Sequence, residues 1–216
     1  MDVVAVEWGV VIAGKWNRAI LTPNGVATRI FDLEDGSGVL LAVPFDGVSP
    51  YQIRHPDQNI IVVTDESRLQ ILAAVPDYET LGGAMEAGVR ALKKLPETPV
   101  TAGGFNLKFR SSEVASDVAA LMTDLFDTRL SDLGYSIVGR SSARSVRFDD
   151  GVLNLTLSSD EEGFRLACNF HRESKVTTEL EAWLSTPIDN VRDKISNVLS
   201  AFGLTLAEAP SDDDGK

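Results

Sequence analysis

The chain has very few of the side chains that build metal and disulfide sites. Its 216 residues include one cysteine, Cys168, and two histidines, His55 and His171. A single cysteine cannot form a disulfide within the chain, and these three residues are too few for a zinc cage of cysteine and histidine. We therefore expect a reducing compartment, no bound metal and no cofactor.

Long apolar runs are also missing. No stretch of 18 apolar residues occurs, so the sequence predicts no membrane-spanning helix. The N-terminus begins Met1-Asp2 and has no basic segment ahead of an apolar one, which argues against a signal peptide. Together with the lone cysteine, these features predict a cytoplasmic protein.

Positive charge is scarce. Lysine and arginine number 20 against 32 aspartates and glutamates, for a formal net charge of −12. A field of that sign repels phosphate backbones, so non-specific binding of nucleic acid is not expected. An acid excess commonly serves solubility, although it also leaves open a basic protein partner or mimicry of nucleic acid.

The common catalytic motifs are absent. No Gly-x-Gly-x-x-Gly or Walker loop follows a predicted strand, and there is no Gly-x-Ser-x-Gly elbow. Cys168 and His171 are three residues apart on a predicted strand, which places their side chains on opposite faces. They should therefore not form a nucleophile and base, and we expect Cys168 to be a core thiol.

A short pattern occurs twice, at residues 59–72 and 154–168. Each copy is a β-rich run, an acidic turn, and an Arg-Leu pair that opens a second run, with Arg68 and Arg165 as the arginines. Helical periodicity follows each copy. The echo predicts two similar halves made of a β-hairpin and a helix, with each acidic turn at the same end of the sheet, although two ordinary hairpins would also produce it.

Three segments show the apolar periodicity of helices. The first begins at Asp77 or Thr80 and ends near Leu95. Small residues at positions 84, 88 and 91 would let it lie close against a sheet. The third begins with a Thr186 cap and Pro187 in the first position, and residues 176–184 fit either a strand or a short helix.

The second helical segment is predicted to start at Ser112 and end at Gly134 as one continuous helix. Its predicted buried face consists of Val114, Val118, Leu121, Met122, Leu125 and Phe126. Between the turn signals near residues 24 and 35, residues 26–31 are predicted to form a short strand. The Gly103-Gly104 pair coincides with a change of strand phase and predicts a β-bulge there.

Strands outnumber helices and adjoin through tight turns, of which Asp150-Gly151 is the strongest hairpin signal. This order favours an α+β fold, a mostly antiparallel sheet with about three helices packed on one side. We expect a single domain over residues 1–207, with pseudo-repeat halves 1–110 and 111–207 if the repeat is genuine. Residues 208–216 are predicted to be a disordered acidic tail.

The candidate site residues are mostly basic. Arg140, Arg144 and Arg147 follow one another on a predicted strand, and guanidinium groups suit phosphate or carboxylate recognition. Lys108 and Arg110 project from the outer face of another strand. If the two strands are neighbours, the five residues merge into one basic patch.

His55 lies in the run Arg54-His55-Pro56-Asp57 and could act as a general base beside an acid, or simply belong to a turn. The acidic turns at residues 65–66 and 160–162 lack the spacing of a calcium loop. We therefore assign no metal-binding and no catalytic residue, and the sequence does not favour an enzyme.

The leading hypothesis is a non-catalytic binding or regulatory protein that acts through an interface with another protein. It rests on a well-formed predicted core without an assembled catalytic set, together with strong acidity. A first alternative is a small-ligand binder or enzyme that uses His55 or the Arg140/Arg144/Arg147 strand. A second is an acidic inhibitor that mimics nucleic acid.

Overall fold

A computed structural model describes residues 1–45, 50–114 and 116–207. The strands are β1 (Asp2–Gly14), β2 (Leu40–Ala42), β3 (Gln52–Arg54), β4 (Ile60–Thr64), β5 (Arg68–Ala73), β6 (Val100–Ser111), β7 (Arg140–Phe148), β8 (Gly151–Asp160), β9 (Gly163–Glu173) and β10 (Thr205–Leu206). The helices are α1 (Pro23–Arg29), α2 (Tyr78–Lys94), α3 (Ser116–Met122), α4 (Leu125–Asp132), α5 (Thr177–Leu184) and α6 (Ile188–Ala201). The predicted acidic tail, residues 208–216, lies outside the described residues.

The strands form one sheet in the order β2-β3-β4-β5-β1-β6-β9-β8-β7. Every neighbouring pair in this order is antiparallel, and β10 adds a short parallel pairing to the start of β1. The predicted α+β fold with a mostly antiparallel sheet is therefore confirmed. The described residues contain six helices rather than about three, because short helices were missed or merged in the prediction.

The core lies between the sheet and the helices. Trp8 of β1 contacts Tyr78 of α2 and Phe109 of β6 edge to face, at centroid distances of 4.9 and 5.7 Å. A Cβ at Gly88 of α2 would lie 3.2 Å from the side chains of Val10 and Leu184, so glycine lets α2 lie close to β1 and α5. The predicted small-residue face of this helix is thus confirmed at its centre.

Both halves of the sheet follow the same order of elements. β1 is followed by α1, a meander that ends in β5, and α2; β6 is followed by α3 and α4, a meander that ends in β9, and α5 and α6. In each half the last meander strand pairs with the first strand, and β1 and β6 pair antiparallel at the centre. The order of elements repeats from β6 onward, so the boundary between the two halves falls between α2 and β6. A boundary at residue 110 would separate β6 from the half to which it belongs.

The two acidic turns lie at opposite ends of the sheet. The first lies beside the end of β1, where the Trp16 N–H donates to the Glu66 carbonyl at 2.9 Å. The second lies beside the end of β6, where Ser111 pairs with Phe164. Because β1 and β6 are antiparallel, their ends point in opposite directions, and the prediction of a common end is wrong.

The predicted short strand at residues 26–31 is also wrong, because α1 occupies this region. Thr22 caps it by accepting a hydrogen bond from the Gly25 N–H at 3.2 Å, and Pro23 takes the first helical position. A Thr-Pro pair is a helix-start signal. Val26, Ala27 and Ile30 are buried, which explains the apolar run that suggests a strand.

The predicted single helix from Ser112 to Gly134 is two helices, α3 and α4. Asp124 breaks the run because its carboxylate accepts hydrogen bonds from the N–H groups of Phe126 at 2.7 Å and Asp127 at 3.4 Å, so it caps a new helix. Of the predicted buried face, only Val118 and Met122 are buried.

The predicted bulge at Gly103-Gly104 lies two residues earlier, because the β1–β6 register shifts between the pairs Ala13/Ala102 and Gly14/Val100. The third helix predicted from the sequence is α6, which begins at Ile188. Thr186 does not cap it, and the Thr186 hydroxyl instead donates to the Trp183 carbonyl at 2.8 Å.

Candidate functional site

The five basic candidates do not form one patch. Their strands, β6 and β7, are separated by β9 and β8. Three strand spacings amount to about 14 Å. The predicted merging of Lys108 and Arg110 with the arginines of β7 is therefore wrong, since it required neighbouring strands.

The arginines of β7 also divide between the two faces of the sheet. Arg140 and Arg144 pair with Ser159 and Leu155, whose side chains point toward the helices. Arg147 pairs with Val152 and points to the outer face. Arg140 donates its Nε–H to a carboxylate oxygen of Asp127, so it ties α4 to β7 and is not free to bind a ligand.

His55 is a structural residue of a turn. It is 4% exposed, its Nδ1 accepts hydrogen bonds from the N–H groups of Asp57 at 3.1 Å and Gln58 at 3.0 Å, and its ring packs edge to face on Phe31. Burial lowers the pKa of the imidazole, against a smaller raising effect of Asp57. The ring nitrogen that would act as a base is already occupied, so the geometry gives His55 no catalytic role.

Lys108 and Arg110 differ in what surrounds them. Lys108 forms an ion pair with Glu7 of the neighbouring strand at 2.7 Å. Arg110 lies opposite Arg165 of β9, and it forms no ion pair with any residue in the described ranges. Arg165 itself contacts Asp160 at 2.5 Å and also Glu162.

The cleft around Arg110 is formed where the start of β1, the end of β6 and the start of β9 meet. This Arg110 cleft has a volume of about 490 Å³. Its lining consists of Asp2, Val4, Arg110, Ser111, Ser112, Glu162, Phe164 and Arg165. Val4, which is 40% exposed, contributes apolar surface, whereas the ring of Phe164 is fully buried in the core.

A second feature, not predicted from the sequence, is an exposed apolar surface on and around α4. We define the α4 surface as the large apolar side chains Leu121 (57% exposed), Leu125 (66%), Phe126 (71%), Leu133 (73%), Tyr135 (63%) and Val138 (73%). No residue of α4 is buried. The one signal that could have revealed it is Asp124, whose capping role ends α3 and turns the following apolar residues away from the core.

The adjoining strand β7 is an edge of the sheet. Among the described strands it pairs only with β8, and most of its nine residues are exposed. Arg144 hydrogen-bonds to its own strand, at Ser142 and the Ala143 carbonyl. Neither Arg144 nor Arg147 forms an ion pair with a described residue, so the edge carries two uncompensated positive charges.

The outer face of β6, β9, β8 and β7 carries a row of polar side chains that lies across four strands. Ser145 donates to Asn154 at 2.7 Å, Asn154 donates to Asn169 at 3.5 Å, and Asn169 donates to Asn106. Each side chain of the row bonds to the next one, so the row ties the four strands together on this face.

Within the described ranges, no group of three or more His, Cys, Asp or Glu side chains is placed to hold a metal ion. Cys168 is 2% exposed and points toward the helices, and it lies on the face opposite to that of His171, as the spacing predicts. None of the described helices has the length and apolar character needed to cross a membrane.

No protein-family model and no curated protein matches the chain. Among solved structures, it is similar to a protein described as Methanococcus jannaschii TBP, with 11% identity over 93% of this chain and 98% of that chain, at a TM-score of 0.27. So low a TM-score carries no implication for the function of this chain.

Proposed function

We propose that the protein is a non-catalytic binding protein of the cytoplasm that holds a partner protein on the β7 edge and the α4 surface. The observation that carries the proposal is the juxtaposition of the two features. A helix that buries none of its residues adjoins a nine-residue strand whose free edge pairs with no other described strand.

The apolar side chains of α4 support a protein partner. Phe126 and Leu133 are more than 70% exposed and lie seven positions apart, on one face of the helix. An eight-residue helix is marginal in water on its own, and helices in proteins are stabilised mainly by packing their apolar face. Contiguous exposed apolar patches commonly mark interaction sites, so a partner would bury what this chain leaves exposed.

The β7 edge supports an extended partner segment. An edge strand presents unpaired N–H and C=O groups that another strand can bind, in the recognition mode called β-augmentation. Arg144 and Arg147 lie on opposite faces of this edge and lack ion pairs among the described residues. A bound segment would therefore carry acidic side chains opposite these arginines and apolar side chains toward α4.

A second copy of the chain fits the edge less well. In a symmetric antiparallel pair centred on β7, Arg144 is the middle residue and would face Arg144 of the copy. Like charges directly opposite each other destabilise a strand pair. The partner is thus an acidic extended segment of a different protein.

The two alternative functions find less support in the geometry. Arg140 is engaged with Asp127, and His55 is engaged with its own turn in the other half of the sheet. A nucleic-acid mimic requires carboxylates spaced along one face. The outer-face row described above carries amides and a hydroxyl instead.

Site-specific photo-cross-linking tests the proposal. A photoreactive phenylalanine analogue replaces Phe126 in one variant and Arg144 in another, and a third variant carries it at Leu40, which is 60% exposed on the opposite sheet edge. We expect positions 126 and 144 to cross-link to one acidic segment of one protein, and a synthetic peptide of that segment to bind the purified chain. Binding should weaken with added salt and with the change of Arg144 and Arg147 to Gln.

Two outcomes would overturn the proposal. One is equal cross-linking from Leu40, which would show non-specific contact. The other is a cross-linked segment whose peptide does not bind, or binds with no dependence on the two arginines.

A further inference from the structure

The Arg110 cleft lies where β1, β6 and β9 meet, and it shares no residue with the α4 surface or the β7 edge, so the proposed partner binding does not use it. Arg110 and Arg165 are direct cross-strand neighbours on the outer face, and such pairs have Cβ atoms roughly 4.5–5.5 Å apart. Arg165 is compensated by Asp160 and Glu162. Arg110 has no such partner in the described chain, so its guanidinium is available to an anion in the cleft.

Two serines line the same cleft as this guanidinium. Ser111 and Ser112 follow Arg110 directly and line the same cleft. The Ser111 Oγ accepts a hydrogen bond from the Glu113 N–H at 3.3 Å, so its hydroxyl proton remains free to donate. A guanidinium fork with adjacent hydroxyl donors matches the two oxygens of a carboxylate.

The charge of the lining selects the class of anion. The cleft contains two cations, Arg110 and Arg165, and two carboxylates, Asp2 and Glu162. Glu162 is already paired with Arg165, so Asp2 is the carboxylate that would repel a phosphate dianion bound to Arg110. A zwitterion places its carboxylate on Arg110 and its ammonium beside Asp2, so each of its charges has a partner of opposite sign.

We infer that the Arg110 cleft binds a small zwitterion of the free amino-acid type, through its carboxylate on Arg110 and its ammonium against Asp2. The exposed side chain of Val4 would contact the rest of the ligand. This inference is independent of the partner binding proposed above.

The first half of the sheet provides an internal comparison. Arg68 pairs with Ala13, the penultimate residue of β1. In the same way, Arg165 pairs with Arg110, the penultimate residue of β6. The place of Arg110 is therefore taken by Ala13, so no arginine lies directly opposite Arg68 in the strand pair. Arg68 is consequently a matched control, an exposed arginine at the equivalent position without a cleft partner.

The test is a series of titrations followed by amide chemical shifts in 1H–15N spectra of the full chain. The probes are the common L-amino acids one at a time, each matching carboxylic acid without the amine, and inorganic phosphate. We expect at least one amino acid to give saturable shifts at Ser111, Ser112 and Arg165. Arg110→Gln should weaken its binding about tenfold or more, since a charge-assisted bidentate contact is lost, while Arg68→Gln should leave it unchanged.

Asp2→Asn tests the contact with the ligand's ammonium group separately from the contact with its carboxylate. We expect it to reduce the preference for the amino acid over its amine-free analogue, with the spectrum of a folded protein retained. Saturable binding of phosphate in preference to every amino acid would overturn the assigned ligand class. An absence of saturable shifts at these amides with all probes, or equal weakening by Arg68→Gln, would overturn the site.

Discussion

Arg68 and Arg165 occupy the same position in the two halves of the sheet. Arg68 lies opposite the penultimate residue of β1, and Arg165 lies opposite the penultimate residue of β6. Their ionic surroundings differ. Arg165 contacts Asp160 and Glu162 of its own hairpin, whereas Arg68 forms no ion pair in the described part of the chain. In the first hairpin, Asp65 instead accepts hydrogen bonds from the N–H and hydroxyl of Ser67, at 2.8 and 2.6 Å.

The two arginines should therefore contribute unequally to stability. We expect Arg165→Ala to lower the melting temperature by about 1–4 °C and Arg68→Ala by less, as measured by circular dichroism at low salt. The Arg165 guanidinium, with the Glu162 N–H, holds the pKa of Asp160 below its usual range. The contribution is thus present above the unfolded pKa of Asp and is lost as pH falls through the lower folded value, so the variant and the parent should converge in acid. Equal effects of both substitutions would contradict this difference.

The burial of His55 predicts a pH dependence of folding. Its folded pKa is lowered, mainly by burial, below the value of 6.5 for an unperturbed imidazole. Between the folded and unfolded pKa values the unfolded chain binds more protons, so the free energy of unfolding falls as pH decreases below about 6.5. Above that pH the contribution is fully present.

Two measurements check the role of His55. Chemical shifts of the His55 ring should titrate below pH 6.5, and His55→Asn should flatten the decline in melting temperature between about pH 6.5 and 5. A His55 ring that titrates at or above its ordinary pKa would contradict the role of Nδ1 as an acceptor in the turn.

Gly104 is expected to be required by the close approach of β6 and β9. A Cβ at this position would lie 2.2 Å from the carbonyl oxygen of Phe170 and 2.7 Å from the Cα of His171, so the backbone would have to move. We expect Gly104→Ala to lower the free energy of unfolding by about 1–3 kcal/mol, the usual range for overpacking, in urea denaturation.

Gly82 in α2 is the control for this substitution, because a Cβ there meets nothing within 4 Å. Gly82→Ala should stabilise the protein by about 0.5–1 kcal/mol, since alanine favours a helix interior over glycine. Destabilisation of similar size by both substitutions would show that strand spacing is not the cause.

Local patterns in the sequence were sufficient to predict the sheet-rich fold and the long helices. Alternation along β9 places Cys168 in the core, and the turn signal at Asp150-Gly151 marks the β7–β8 hairpin that forms. These properties depend on neighbours in the sequence. The strand order does not, and the predicted basic patch failed because β9 returns to pair with β6 and separates it from β7.

The candidate site was less accessible to sequence reasoning than the fold. Phe126 and Leu125 continue the apolar pattern of α3, so they predict a buried face. They are exposed because Asp124 starts a new helix axis, and whether a residue caps or continues a helix depends on tertiary contacts. Likewise, the Arg110 cleft brings together residues 2, 110 and 162, and no local pattern predicts that meeting.

We expect α4 to move independently of the sheet once its ion pair with the sheet, between Asp127 and Arg140, is removed. This ion pair joins α4 to the sheet, and α4 buries no residue of its own. Arg140→Ala should therefore speed hydrogen exchange of the α4 amides while those of β8 and β9 stay protected. A global loss of protection across the sheet would show instead that α4 is part of the main cooperative unit.

The thiol of Cys168 should react slowly in the native protein. It is 2% exposed, it lies in register between Leu107 and Leu155, and burial raises its pKa to about 12. Because only the thiolate attacks a disulfide reagent, both the small thiolate fraction at pH 8 and the lack of access oppose labelling. We expect labelling by an aromatic disulfide reagent to follow unfolding, with rates that rise steeply with urea and become rapid in the unfolded chain.

Cys168→Ala should abolish the signal at a modest cost in stability, whereas Cys168→Ser should cost about 1–3 kcal/mol more if its hydroxyl is left unpaired in the core. Labelling of the native protein as fast as that of the unfolded chain would place this thiol at the surface and contradict the strand phase of β9.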